Sequence, residues 1–119
     1  MSNYSPLRYP GGKSVLYPII SSVIQSSSIS HCIYVEPFAG GASIAWNLLV
    51  EGIVDTVIIN DADKAVYSFW RAVMESTQWF VDKINETPIT VDEWRKQRDI
   101  LRSTKKYSKE LGFAMFFLN

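Results

Sequence analysis

The sequence has one cysteine, Cys32, and one histidine, His31. A single cysteine excludes an internal disulfide and fits a reducing, cytoplasmic compartment. One cysteine and one histidine cannot supply the usual ligand set of a zinc site, so no metal is expected. No apolar run reaches the length that spans a bilayer, and the first residues are polar, without the apolar segment of a secretory signal. Neither a membrane nor export is therefore expected. Positive charge is scarce at the front, where residues 1–60 hold only Arg8 and Lys13. Over the whole chain twelve basic and twelve acidic residues cancel, so global charge does not demand a nucleic-acid partner. Two phosphate-binding patterns are also missing. "YPGGKS", Tyr9 to Ser14, ends like a triphosphate loop, but Leu7 stands where the first glycine belongs. "AGGASI" puts Ala42 where the second glycine of the dinucleotide fingerprint would fall.

What remains is a chain of 119 residues, 47% hydrophobic, enough for one small domain with a core. Ser14 to about Gln25 has a helical pattern, with Val15, Ile19, Ile20 and Val23 on a helical spacing and Pro18 in the first turns, where a missing amide is tolerated. "CIYVE", Cys32 to Glu36, predicts a buried strand. "PFAGGAS" breaks it, and Ile44 to Gly52 predicts a helix closed by Gly52. "DTVIIND", Asp55 to Asp61, predicts a second strand. Lys64 to Glu75 is helical in pattern, with Val66, Trp70 and Val73 on one side, and the rest of the chain also looks helical. Thr90 and Glu93 form a capping-box pattern, and Trp94 and Leu101 are spaced to face a core. Strand, helix, strand, helix with short connections predicts a parallel α/β sheet.

Ligands of such sheets bind outside the carboxyl ends of the strands. The first end carries Gly40 and Gly41, which allow unusual backbone angles and close approach of a ligand, and the next helix aims its free amides there. The second end carries Asp61, 20 residues after Gly41. An acid at that separation bonds the ribose hydroxyls of an adenosine ligand. With no pyrophosphate fingerprint, the ligand that fits is S-adenosylmethionine. "FAGGAS" by itself also fits a plain tight turn, and Asp63 fits a helix N-cap as well as a ligand. From Arg95 to Lys109 there are seven basic residues, Arg95, Lys96, Arg98, Arg102, Lys105, Lys106 and Lys109, opposed only by Asp99. They form either a solvated helix face or a local anion-facing patch.

The motifs "PLRYPGGK", "VEPFAGGAS", "IINDAD" and "GFAMFFLN", in this order, resemble the Dam-type adenine-specific DNA methyltransferases. The resemblance spans nearly the whole chain. It implies a partial Rossmann-like, S-adenosylmethionine-dependent methyltransferase fold with a helical second half. It implies a donor site made by Tyr9, Gly11, Gly12, Lys13, Glu36, Phe38, Ala39, Gly40, Gly41 and Asp61. Tyr9 would pack on the donor, and Lys13 would sit near its carboxylate or near the target base. Glu36 would meet its amine or hold the loop, and Phe38 would pack beneath the loop. Double-stranded DNA is the implied partner, with Arg8, Lys13 and Asn119 as its contacts, in an enzyme of the restriction-modification kind.

The family's Asp-Pro-Pro-Tyr type motif, which aims acceptors at the adenine amine and stacks the flipped base, is absent. The prolines, Pro6, Pro10, Pro18, Pro37 and Pro88, are never adjacent. No catalytic residue is therefore assigned. Residues 1–119 are expected to be the N-terminal, cofactor-binding portion of a longer enzyme, whose missing C-terminal portion would carry the catalytic motif and the target-recognition region. A non-catalytic adenosine-binding or regulatory module, and a methyltransferase acting on RNA or protein, are the alternatives.

Overall fold

The computed structural model describes residues 4–8 and 13–119. The chain divides into two compact units, Met1–Asn60 and Asp61–Asn119. Among the described residues no helix is long and apolar enough to cross a membrane.

The first unit begins with a 3-10 turn, Ser14–Leu16, followed by α1 (Tyr17–Ser26), β1 (Ile33–Glu36), α2 (Ser43–Val50) and β2 (Thr56–Ile59). The two strands pair in parallel, Ile33 opposite Thr56 and Glu36 opposite Ile59. Side chains alternate across a strand, and here the two faces differ. Tyr34 and Val57 pack on a core of Tyr17, Ile44, Leu48 and Val54. Ile33, Val35 and Ile58 are exposed on the opposite face. Parallel sheets are ordinarily covered on both faces, so this face is apolar and bare among the described residues.

Helix α2 ends as its sequence predicts. Gly52 takes φ 72°, and the amides of Gly52 and Ile53 return to the carbonyls of Leu49 and Leu48, the bonding of a Schellman cap. The spacing of the first helix leaves open which side packs: Val15, just before α1, and Ile19 and Val23 within it are exposed, and α1 packs through Tyr17, Ile20 and Ile24. Its anchor is the phenol of Tyr17, which donates to Glu51 Oε2 just after α2. Burial first, and then this carboxylate, push the Tyr17 hydroxyl up to about 12.

The second unit is helical: α3 (Lys64–Glu75), α4 (Thr77–Glu86), α5 (Val91–Ser103) and α6 (Lys109–Leu118). Asp63 caps α3, its Oδ1 accepting the amides of Ala65 and Val66 at 2.8 and 3.2 Å. Thr90 caps α5 by accepting the Glu93 amide, but Glu93 does not complete a capping box; its carboxylate accepts from Gln97 Nε2 at 2.7 Å. The core is aromatic. Phe69 of α3, Phe80 of α4, and Phe113 and Phe116 of α6 meet mostly edge to face, with Phe80 5.4–5.7 Å from the other three. Gly112 lets α6 lie directly on α3, because a Cβ there would stand 2.5 Å from the Ser68 carbonyl oxygen. Helix α5 corrects a further expectation. Trp94 stays 45% exposed, and the residue that α5 buries is Gln97, 2% exposed.

Candidate functional site

Strand β1 ends on Glu36, which is 8% exposed although it is ionisable. Its Oε1 accepts from the Tyr34 hydroxyl at 3.1 Å. Its Oε2 is buried and has no hydrogen-bond partner among the described residues. Burial raises the pKa of this carboxyl, while the Tyr34 hydrogen bond and the charge of Lys13 draw it back. Burial, and then the charge and hydrogen bond of Glu36, push the pKa of the Tyr34 hydroxyl up to about 12. A buried carboxylate with an uncommitted oxygen is costly unless a positive or donating group meets it.

The loop after Glu36 is tied to the end of β2. The Asn60 amide donates to the Glu36 carbonyl at 2.9 Å, and the Ala39 amide donates to the Asn60 carbonyl at 2.8 Å. Asn60 Nδ2 reaches the Pro37 carbonyl at 3.3 Å. Within this frame Gly40 is buried and takes φ 51°. The second left-handed residue is Ala42 at φ 50°, not Gly41, so the glycine pair uses its conformational freedom once. Ala42 is the N-cap position of α2 and makes no side-chain cap, which leaves the first amides of α2 without intrahelical acceptors.

Lys13 is exposed, and its Nζ donates to the Phe38 carbonyl at 3.4 Å. That bond brings the lysine of "YPGGK" onto the glycine loop, 25 residues away in sequence, and close enough to influence Glu36. Phe38 does not pack beneath the loop; it is 71% exposed, an apolar ring presented to whatever the loop meets. Ala39 and Gly41 are half-buried in the loop. Tyr9, Gly11 and Gly12 lie outside the described residues. The first unit thus brings together Lys13, Glu36, Phe38, Ala39, Gly40 and Gly41.

Asp61 opens the second unit, half-buried, with its Oδ1 accepting the Asp63 amide at 2.9 Å. Asp63, which fits either a cap or a ligand, is used as the cap. Arg8 and Asn119 are both exposed. Along α5, Arg95 and Arg102 are exposed on one side, seven residues and so about 10 Å apart along the axis. Arg98 between them lies over the Trp94 ring at 5.3 Å. The loop beyond adds Lys105 and Lys106, both exposed. Lys64 Nζ holds this loop through the Lys105 carbonyl at 2.8 Å. The sequence showed the charge run but not that Arg98 is committed to a ring.

The second unit also contains an apolar cavity of about 570 Å3, walled by Ile84, Trp94, Phe113, Phe116 and Phe117 among others. Among the described residues no ionisable side chain lines it, so they do not supply there the groups that a zwitterionic donor requires.

The family profile described as D12 class N6 adenine-specific DNA methyltransferase matches residues 9–110. No curated protein matches the chain, and no solved structure does.

Proposed function

Because the chain belongs to the D12 class of N6 adenine-specific DNA methyltransferases, a family whose fold binds S-adenosylmethionine, we propose that it carries the donor-binding portion of an enzyme that methylates the exocyclic amine of adenine in double-stranded DNA. The observation that carries this reading is the buried Glu36 carboxylate, with Oε2 uncommitted where the glycine loop begins.

The residues present fit the donor. S-adenosylmethionine bears an ammonium, a carboxylate, a ribose diol and, on its sulfonium, the methyl group that it supplies when bound. Glu36 faces the ammonium, and the gain is large because the carboxylate otherwise stays buried with one oxygen unmet. Lys13 balances the donor's carboxylate or reaches toward the target base. Gly40, at positive φ, lets the ligand approach bare backbone. Asp61 accepts from the ribose hydroxyls. Tyr9, Gly11 and Gly12 close over the donor, and Phe38, Ala39 and Gly41 complete the wall. Arg8, Asn119 and the Arg95 and Arg102 side of α5 meet phosphates of the duplex.

The bare face of the two-stranded sheet, with Ile33, Val35 and Ile58 exposed, supports reading residues 1–119 as the N-terminal portion of a longer enzyme whose further elements cover it. The lack of an Asp-Pro-Pro-Tyr motif favours donor binding without turnover for this chain by itself. Isothermal titration of S-adenosylmethionine into the chain and into Glu36→Ala tests the reading. Saturable binding that the substitution weakens supports it. Equal affinity in the two proteins removes Glu36 and the strand-end site from consideration.

A further inference from the structure

Tyr34 and Glu36 lie two residues apart in β1, so both side chains leave the same face of the sheet. That face is the packed one. The Tyr34 ring lies against the core of Tyr17, Ile44, Leu48 and Val54, which fixes where its hydroxyl stands. The hydroxyl donates to Glu36 Oε1 at 3.1 Å. One oxygen of the carboxylate is thereby pinned. The other, Oε2, is the buried atom without a hydrogen-bond partner among the described residues.

A glutamate free to choose would turn both oxygens toward water, because an unmet buried carboxylate oxygen is costly. Holding the side chain in one buried rotamer also costs entropy. The bond from Tyr34 offsets part of both costs before any ligand arrives. It bears on charge as well. Burial favours the neutral carboxyl, whereas a hydroxyl donated to the carboxylate favours the anion, and the charge of Lys13 acts in the same direction. The other neighbours add no charge. Ile59 of β2 stands opposite Glu36, Ile44 and Leu48 of α2 are apolar, and the Tyr17 hydroxyl is engaged by Glu51. With its own pKa pushed up to about 12, chiefly by burial, the Tyr34 phenol keeps its proton near neutral pH and stays a donor.

We propose that Tyr34 is a positioning residue of the strand-end site: its hydroxyl holds Glu36 by Oε1, so that Oε2 is presented to the ammonium of the methyl donor. This rests on the reading that Glu36 receives that ammonium. Tyr34 acts through Glu36 and not by contact with the donor.

The test combines calorimetric titration of S-adenosylmethionine with an NMR pH titration of the Glu36 side-chain carboxyl. The proteins are the 119-residue chain, Tyr34→Phe, Glu36→Ala and the double variant. Tyr34→Phe keeps the ring and removes only the hydroxyl. It should weaken donor binding about three- to tenfold near neutral pH. It should also raise the Glu36 pKa and move the acid limb of donor affinity to higher pH, because a carboxylate that has lost a donor takes up its proton sooner. In the Glu36→Ala background the hydroxyl has nothing to position, and Tyr34→Phe should have no further effect. A role in packing alone would weaken binding in both backgrounds and leave the acid limb in place. Equal losses in the two backgrounds, or an unmoved Glu36 pKa, therefore overturn the proposal, while the donor reading stands on Glu36→Ala. No saturable binding by the parent, or equal affinity of the parent and Glu36→Ala, overturns the donor reading and the role of Tyr34 with it.

Discussion

Glu36 is held in surroundings that a carboxylate resists, with burial as the main cause of its raised pKa. Its folded pKa lies above its unfolded value, so the stability linked to its proton is fully present below the unfolded pKa. That stability is lost as pH rises through the folded value. Glu36→Gln carries no charge and escapes the loss. Thermal unfolding should therefore show the variant more stable than the parent near neutral pH, with the difference vanishing in acid below about pH 4, the unfolded glutamate range. A constant difference across pH would mean that the shift has another origin. The same substitution should weaken S-adenosylmethionine binding, which would separate stability from function at one atom. Asp61 presents a simpler case. If it accepts from the ribose hydroxyls, Asp61→Ala should weaken donor binding by about 1.5–3 kcal/mol, as for a lost hydrogen bond to a charged group. An unchanged dissociation constant by calorimetry would remove Asp61 from the site.

Between elements, the contact of α3 with α6 depends on one missing methyl group. Adding a Cβ at Gly112 places it 2.5 Å from the Ser68 carbonyl oxygen, and backbone cannot swing aside as a side-chain tip can. Overpacking of this kind costs about 1–3 kcal/mol or more, against about 1 kcal/mol gained from the better helix propensity of alanine. Gly112→Ala should lower the melting temperature despite that gain; an unchanged or higher value would show that the two helices do not touch there. On α5 the outward charges lead to a different measurement. Each phosphate contact contributes about −0.9 to the log–log slope of DNA affinity against salt. Replacing Arg95 and Arg102 with glutamine in an enzyme that binds DNA should flatten the slope by up to about two contacts. Arg98→Gln should change it less, since that guanidinium lies over Trp94. Identical slopes for the Arg95 and Arg102 variant and its parent would assign this face to solvent.

At the scale of the whole molecule, the chain has residues suited to the methyl donor and no motif for the acceptor. Holding one reactant without the other forgoes the proximity contribution, which reaches about 7–11 kcal/mol of barrier. The 119-residue chain should therefore transfer no radiolabelled methyl to duplex DNA above background. Supplying a portion that carries an Asp-Pro-Pro-Tyr motif, in the same chain or as a second one, should restore transfer to adenine. Turnover by the isolated chain that survives repurification would mean that an acceptor-side group lies within this sequence.

The sequence by itself determined what depends on neighbours a few residues apart. Helix α3 spans Lys64–Glu75 as its pattern predicts, because Asp63 caps it and no breaker interrupts it. Gly52 closes α2 and Thr90 opens α5, through bonds that span three to five positions. Two strands separated by a glycine loop and a helix were readable for the same reason, as was the missing acceptor motif. Tertiary structure decided what depends on distant partners. The apolar spacing of α1 could not say which side packs, and the Tyr17 bond to Glu51, 34 residues on, turns Val15, Ile19 and Val23 outward. Phe38 has the composition of a core residue, yet the loop that carries it is fixed by Asn60 and faces it outward. Gln97 is buried and Trp94 is not, because α5 is oriented by its contacts with α6. The bond from the Ser108 amide to Ser68 Oγ, which ties the start of α6 to α3, also had no signal in sequence, since the two residues are 40 positions apart. Local pattern fixes where a helix begins, but only packing fixes what its first amides face.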